Sequence, residues 1–323
     1  MTRSTVGWLG LALPLSLLAI HAACAAPPAT GPEACAGLRR DVATAALPLQ
    51  PTPLAIEALD PATDCRVSIN DDRPMPMMSV YKIPIAIAVY DAVDRGFDLQ
   101  ALRIVQVGEA AGGHSPLGER LLAEGPVEMS YADLLESMVI SSDNTASDVL
   151  LETVGGPQAV TALLRRHGLE GIRIDRYERQ INADHAKRPA LEAIGDPRDT
   201  ATARSLVDLL QKLQEGKLLS PASTKALLDG LGRVRTGARR LKAGIPPGWG
   251  FAHKTGTGEL AGGLPAATND VGIMLSPGGC RLYLAVLVGS GASSYARRDA
   301  VMAEIGRSFA RWMSTCPRAA PAR

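Results

Sequence analysis

The chain has 323 residues, 46% of them hydrophobic, and a formal net charge of +1 from 34 basic and 33 acidic side chains. Such a chain can bury a large core, in one big domain or two modest ones, which excludes a disordered polymer. The even charge balance, with no lysine or arginine run, argues against a nucleic-acid partner.

Residues 1–26 read as a secretory signal peptide: Arg3, an apolar run from Trp8 to Ile20, then small residues from Ala22 to Ala26. The apolar run is shorter than the ~20 residues a membrane span needs, so an uncleaved anchor is the weaker reading. A lipid attachment at Cys24 is weaker still, with His21 three places before it where an aliphatic residue is favoured. The mature chain is then expected to begin near Ala26, in the periplasm, without stable membrane association. It keeps Cys35, Cys65, Cys280 and Cys316, an even count that suits disulfides in an oxidising compartment without fixing their pairing. No two cysteines have CxxC spacing, and His21, His114, His167, His185 and His253 are scattered, so neither a metal nor another cofactor is expected.

Leu54 to Leu59 and Cys65 to Ile69 flank the turn-rich Asp60-Pro-Ala-Thr-Asp64 and read as a β-hairpin. From Ser79 to about Gly230 helical signals take over. Ser130 can cap a helix with Asp133 three residues on, Pro157 and Gly168 bracket another, and Ser220-Pro221 starts a third before Gly230. Strands return at Gly250 to Lys254, Asp270 to Leu275 and Leu282 to Val288, the last two joined across Pro277-Gly-Gly279, and a final helix runs from about Ala296 to Met313. Strands from both chain ends around a helical middle predict an α+β fold: an antiparallel β-sheet flanked by helices, with an inserted all-helical lobe. The division is 27–77 plus 230–316 for the α/β lobe and 78–229 for the helical lobe, which carries the loop 176–199; 317–323 is a flexible tail.

Three short patterns carry candidate chemistry. Ser79 and Lys82, three apart on a helix, share a face and lie close enough for an amine to hydrogen-bond a hydroxyl. A serine hydroxyl becomes a nucleophile when a neighbouring base takes its proton, yet Ser-x-x-Lys alone arises about once by chance in a chain this long. Ser142-Asp143-Asn144 sits between apolar helical stretches; Asp143 reads as a cap, while Ser142 and Asn144 can present a hydroxyl and an amide to a cleft between the lobes. Lys254-Thr255-Gly256-Thr257 ends an inferred strand. Gly256 has no side chain to block a ligand along the strand edge, and Lys254 with the two hydroxyls offers charge and donors to an anion. A lysine defending an edge strand is the plainer reading.

Together and in this order, the three patterns are the signature of class A β-lactamases and penicillin-binding proteins. The chain resembles the class A family over nearly its whole mature length: the hairpin before Ser79, Ile140-Ser-Ser-Asp-Asn-Thr-Ala146, Arg198-Asp-Thr200, Pro247-Gly-Trp249 and the C-terminal helix. Arg176-Tyr-Glu-Arg-Gln-Ile-Asn182 resembles the family's loop segment in which a catalytic glutamate is followed four residues later by an asparagine. On a helical turn that spacing lets both side chains converge on one water. The resemblance implies hydrolysis of the β-lactam ring of penicillin- or cephalosporin-type antibiotics through a serine acyl-enzyme, and with it antibiotic resistance.

It also implies roles. Ser79 attacks the lactam carbonyl, with the N–H groups of Ser79 and Thr257 as oxyanion hole. Lys82, or Glu178 acting through water, activates Ser79. Ser142 passes a proton to the departing nitrogen, Asn144 orients Lys82 and the substrate's side-chain amide, and Glu178 with Asn182 holds the deacylating water. Lys254, Thr255 and Thr257, around Gly256, receive the substrate carboxylate. Thr268-Asn-Asp270 stands where some members carry a further carboxylate-binding arginine, so Arg240 or Arg298 has to supply it. A cell-wall D,D-peptidase and a non-hydrolysing β-lactam sensor share the signature; Glu178 with Asn182 argues against the first, and the lack of a membrane span after the signal region against the second. A monomer is the family default.

The chain also departs from the family. The interval between Arg176 and Asp199, the pair expected to close the glutamate-bearing loop, is longer than usual. Arg179 stands where many members have proline, which removes the usual cause of a cis bond there. No aromatic wall is evident near Gly112 to Pro116, and the family's cysteine pairs do not map. Because the terminal helices pack together in this fold, Cys35 with Cys316 is the expected bridge and Cys65 with Cys280 a second.

Overall fold

The structure, a computed structural model, describes residues 1–2, 35–188 and 196–314. Residues 3–26 of the expected leader, Cys24 among them, and Cys316 with the tail lie outside the described residues. The main helices in chain order are α1 (Ala36–Ala46), α2 (Lys82–Asp94), α3 (Pro116–Glu124), α4 (Tyr131–Glu136), α5 (Asn144–Thr153), α6 (Gly156–Arg166), α7 (Glu178–Lys187), α8 (Ala203–Gln214), α9 (Pro221–Gly232) and α10 (Tyr295–Met313). Five strands, β1 (Leu54–Asp60), β2 (Cys65–Ile69), β3 (Gly250–Thr257), β4 (Thr268–Leu275) and β5 (Arg281–Val288), form one antiparallel sheet in the order β2-β1-β5-β4-β3.

The sheet is buried on both faces, and side-chain alternation along each strand divides the core in two. In β5, Leu282, Leu284, Val286 and Val288 pack with α1 and α10, whereas Tyr283, Ala285 and Leu287 pack with the helical lobe, against residues such as Leu206 and Leu210 of α8. Local signals set the helix starts. Ser130 caps α4 in a reciprocal capping box with Asp133, Ser220 caps α9, and Asp143 caps α5 by accepting the Ala146 N–H. β3 ends the sheet, and its free edge borders the helical lobe, which is where the three sequence patterns meet.

Both expected disulfides are overturned. Cys35 is bonded to Cys65, and Cys280 is itself in a disulfide, so neither Cys35–Cys316 nor Cys65–Cys280 forms. α1 does pack along α10, but its first turn abuts β2, where Arg39 Nε also donates to the Arg66 carbonyl at 2.9 Å, and this places Cys35 opposite the hairpin strand. Among the described residues no helix is long and apolar enough to cross a membrane.

Candidate active site

Ser79 lies in a 3₁₀ turn, Met78–Tyr81, that runs straight into α2. In that geometry residues three apart eclipse one another, so Lys82 sits over Ser79 even more directly than on an α-helix. Lys82 Nζ donates to Ser79 Oγ at 3.2 Å, to the Ser142 carbonyl at 2.8 Å and to Asn144 Oδ1 at 2.6 Å, and Glu178 Oε1 lies 3.2 Å away. The amine is fully buried, a position it can hold because oxygens surround it. Two non-glycine residues flank this centre with left-handed backbone, Met78 at φ +49° and Ser142 at φ +66°. Each such conformation costs on the order of 1–3 kcal/mol, and strain of that kind collects at functional sites.

The turn is clamped to the sheet. Asn269 of β4 donates to the carbonyls of Pro76 and Met77, and a Cβ on Gly256 of β3 would stand 2.5 Å from the Met77 carbonyl oxygen. The neighbour that demands glycine at 256 is therefore the serine-bearing turn, where the sequence suggested a ligand along the strand edge.

Ser142 is held between two lysines. Its carbonyl accepts from Lys82, and its hydroxyl accepts from Lys254 Nζ at 2.8 Å. Asp143 turns away to accept from Leu117 N and Ser115 Oγ, tying α3 to α5, which is the capping role foreseen for it. Lys254 is buried; that desolvation, with Lys82 adding to it, holds its ammonium well below the usual lysine range, while Asp270 and Glu178 act in the opposite sense.

Glu178 opens α7 with only 7% of its surface exposed. Asp148, one turn beyond Asn144 on α5, aims it by accepting the Glu178 N–H at 2.6 Å and the Arg179 N–H at 3.0 Å. Burial pushes the Asp148 carboxyl up to about 6. The sequence reading missed this residue; its one signal was the four-residue step from Asn144, which puts the two on one helical face. The Glu178–Arg179 bond is trans, the single cis bond among the described residues being Gln50–Pro51.

The predicted loop clasp is present. Asp199 accepts Arg176 Nε at 2.6 Å and the N–H groups of Asp175 and Arg176 at 2.7 and 3.1 Å, while Arg176 also meets Asp184 and Asp196 at 2.9 and 3.2 Å. Residues 189–195 of the long loop lie outside the described residues.

Ser79, Asn144, Glu178, Asn182 and Thr257 line one cavity. Asn182 and Asn144 both donate their amides to the Gly112 carbonyl, at 2.9 and 3.0 Å. His114 lines the same cavity, its Nε2 2.8 Å from the Ser141 carbonyl, and supplies a ring wall in the stretch where none was evident from sequence.

The two candidate arginines separate. Arg240 lies against the end of β3, with Nη2 donating to Thr257 Oγ1 at 2.6 Å, Nη1 to the carbonyls of Gly256 and Asn269, and Nε to Asp299 at 3.0 Å. Arg298 is fully buried and not brought to the cleft: its donors go to the carbonyls of Pro265, Ala266, Gly291 and Ser293 and to Thr268 Oγ1. Thr255 Oγ1 is 2.5 Å from Thr236 Oγ1. Among the described residues no group of three or more His, Cys, Asp or Glu side chains could hold a metal ion.

A lysine buried between a serine hydroxyl and a carboxylate, at a sheet edge facing a helical lobe, defines a serine hydrolase. The profile of the Beta-lactamase enzyme family matches residues 41–313, and the chain belongs to that family. It is 34% identical over 254 residues to Beta-lactamase L2 of Stenotrophomonas maltophilia, covering 78% of each chain. Among solved structures it is similar to an ancestral class A β-lactamase (35% identity, TM-score 0.75, 85% of this chain and 99% of that one). It is also similar to a β-lactamase from Chitinophaga pinensis (28%, TM-score 0.78, 85% and 99%) and to the TLA-3 extended-spectrum β-lactamase (27%, TM-score 0.77, 86% and 98%). The class A resemblance read from the motifs thus holds for sequence and fold alike.

Proposed function

We propose that this class A β-lactamase hydrolyses the β-lactam ring of penicillin- and cephalosporin-type antibiotics through an ester on Ser79, and so confers resistance. The observation that carries this reading is the position of Lys82 Nζ, 3.2 Å from both Ser79 Oγ and Glu178 Oε1. Both oxygens thus border the same buried ammonium, and a water set between them at about 2.8 Å from each would link the carboxylate to the serine.

In this reading Ser79 attacks the lactam carbonyl as its proton leaves toward Lys82, or toward Glu178 through water. The N–H groups of Ser79 and Thr257 take the developing oxyanion. Ser142, in contact with both lysines, relays a proton to the lactam nitrogen as the C–N bond breaks. Lys254, Thr257 and Arg240 hold the substrate carboxylate, Thr255 backs them through its own hydroxyl contact, and Asn144 meets the acyl side chain. Glu178, with Asn182 beside it, then takes a proton from a water that attacks the ester carbonyl, and Ser79 leaves with its hydroxyl restored. The relatives' names, Beta-lactamase L2 and an extended-spectrum β-lactamase, support this substrate class. We place the protein in the periplasm, as the reading of residues 1–26 and the Cys35–Cys65 disulfide favour.

Intact-mass spectrometry after mixing with penicillin tests the reading. Ser79→Ala should form no adduct, and Glu178→Ala should form one and keep it, while the parent turns over. A Glu178→Ala variant that clears its adduct as fast as the parent would refute the role given to Glu178. One equivalent of product followed by silence from the parent would point instead to a peptidase or a sensor.

A further inference from the structure

On the face of β3 turned away from Lys254, a second pair of titratable groups is buried. His253 Nδ1 lies 2.8 Å from Asp270 Oδ1, and neither side chain has exposed surface. The site is shaped for the ring: Gly272 faces His253 across the strands, where a Cβ would stand 2.6 Å from His253 Cβ, and the imidazole stacks on Phe251 with centroids 4.4 Å apart. His253 Nε2 and Asp270 Oδ2 have no hydrogen-bond partner among the described residues. A carboxylate with an unused buried oxygen costs free energy, and the surrounding layer, including Phe251 and Met274, is apolar core that an aliphatic residue would fill more cheaply.

What Asp270 can supply there is charge. It is the register partner of Thr255, and Val271, the next residue, pairs with Lys254, so Asp270 and Lys254 stand one register step apart on adjacent strands, their side chains on opposite faces of the sheet. The charged groups that act on Lys254 are Lys82 from α2, Glu178 from α7, Arg240 from the turn before β3 and, through the sheet from its other face, Asp270. Lys82 and Arg240 are cations that work against a third. Glu178 is already 3.2 Å from Lys82, and Arg240 is paired with Asp299, so Asp270 is left as the counter-charge for Lys254, with His253 its direct partner among the described residues.

We propose that Asp270, oriented by His253, is a positioning residue for substrate recognition, its buried charge maintaining Lys254 as the ammonium that receives an anionic substrate. The inference rests on the reading of Lys254 as a carboxylate-binding cation. Its test is Asp270→Asn, with kcat and kcat/KM measured from about pH 6 to pH 10, across the range where a buried lysine loses its proton. Benzylpenicillin and its methyl ester are compared, and circular dichroism verifies folding.

For the acid, the alkaline fall in kcat/KM should begin about one pH unit lower in the variant, a loss of about tenfold at a fixed pH on that limb. Saturated kcat should hold, because deacylation runs through Glu178, and the uncharged ester should show no such displacement. In a Lys254→Arg background, whose guanidinium does not deprotonate, Asp270→Asn should leave the alkaline limb where it was. A folded Asp270→Asn with the parental limb, or one that loses acid and ester equally, would overturn the proposal and make the pair structural. If the parent itself releases one equivalent and stops, the hydrolase reading fails, and the pH dependence of the acylation rate still decides the role of Asp270.

Discussion

Replacing Asp199 with alanine removes one carboxylate and three hydrogen bonds: those from the N–H groups of Asp175 and Arg176 and from Arg176 Nε. Breaking a buried ion pair from one side costs about 3–5 kcal/mol, most of it from the charge left behind. Here Arg176 keeps Asp184 and Asp196, so its guanidinium is not stranded. Burial already pushes the Asp199 carboxyl up despite Arg176, and shedding that desolvation offsets part of the loss. The lower figure, about 3 kcal/mol, is therefore expected, which for a domain of this size lowers Tm by on the order of 10 °C. The segment released runs from Asp175 into Glu178, whereas Ser79 and Lys82 stand on α2 and its entry turn, which meets residue 199 through a backbone bond, Met77 N–H to the Asp199 carbonyl at 3.0 Å, that the substitution leaves in place. Acylation by penicillin should survive and deacylation should slow, so intact-mass spectra should show an adduct that the parent never accumulates. A variant whose Tm moves by less than about 2 °C, or one that melts early yet clears its adduct at the parental rate, would refute the idea that this clasp aims Glu178.

Arg240→Ala removes a charged hydrogen bond to Thr257, worth about 1.5–3 kcal/mol, so kcat/KM for a carboxylate-bearing substrate should fall about 10- to 100-fold with a smaller change in kcat. Equal losses for benzylpenicillin and its methyl ester would show that the arginine does not read the carboxylate. Arg298→Ala, by contrast, should lower Tm and leave the acid-to-ester preference unaltered, since its donors brace backbone carbonyls away from the cavity. Gly256→Ala sets a methyl 2.5 Å from the Met77 carbonyl and should displace the Ser79 turn, with a loss in acylation rate that stopped-flow mixing with a chromogenic cephalosporin would register. Asp148 predicts a pH dependence. Its carboxyl stands at about 6 in the fold against 3.8 ordinarily, so its contribution to stability is complete below about pH 3.8 and is lost as the pH rises through 6. Relative to Asp148→Asn, the parent should lose about 3 kcal/mol between those limits, and a Tm difference that stays constant over that range would contradict the shift.

The patterns that could be read along the chain are those whose partners lie within one turn or one strand. Ser130 with Asp133, Ser79 with Lys82, and the alternation in β5 each declare themselves by spacing, and together they predict the sheet from both chain ends and the serine–lysine pair. Asp148 could not be read this way, because the N–H groups it holds belong to Glu178 and Arg179, some thirty residues on. Nor could the cysteine pairing, which turns on which end of α1 abuts β2, or the reason for Gly256, which lies in a carbonyl from the other end of the chain. Glu178 stands between the two cases. As one glutamate on an arginine-rich loop it carries no local signal, and it was found through resemblance to a family. What makes it more than a solvated charge is the pair of clamps on its segment, Asp148 from α5 and Asp199 from the far end of the loop. In the function proposed here, forming the ester falls to the local pair, Ser79 and Lys82, whereas cleaving it falls to contacts between α5 and the loop. The step that separates a hydrolase from a stalled penicillin binder is thus governed by interactions that no short pattern displays.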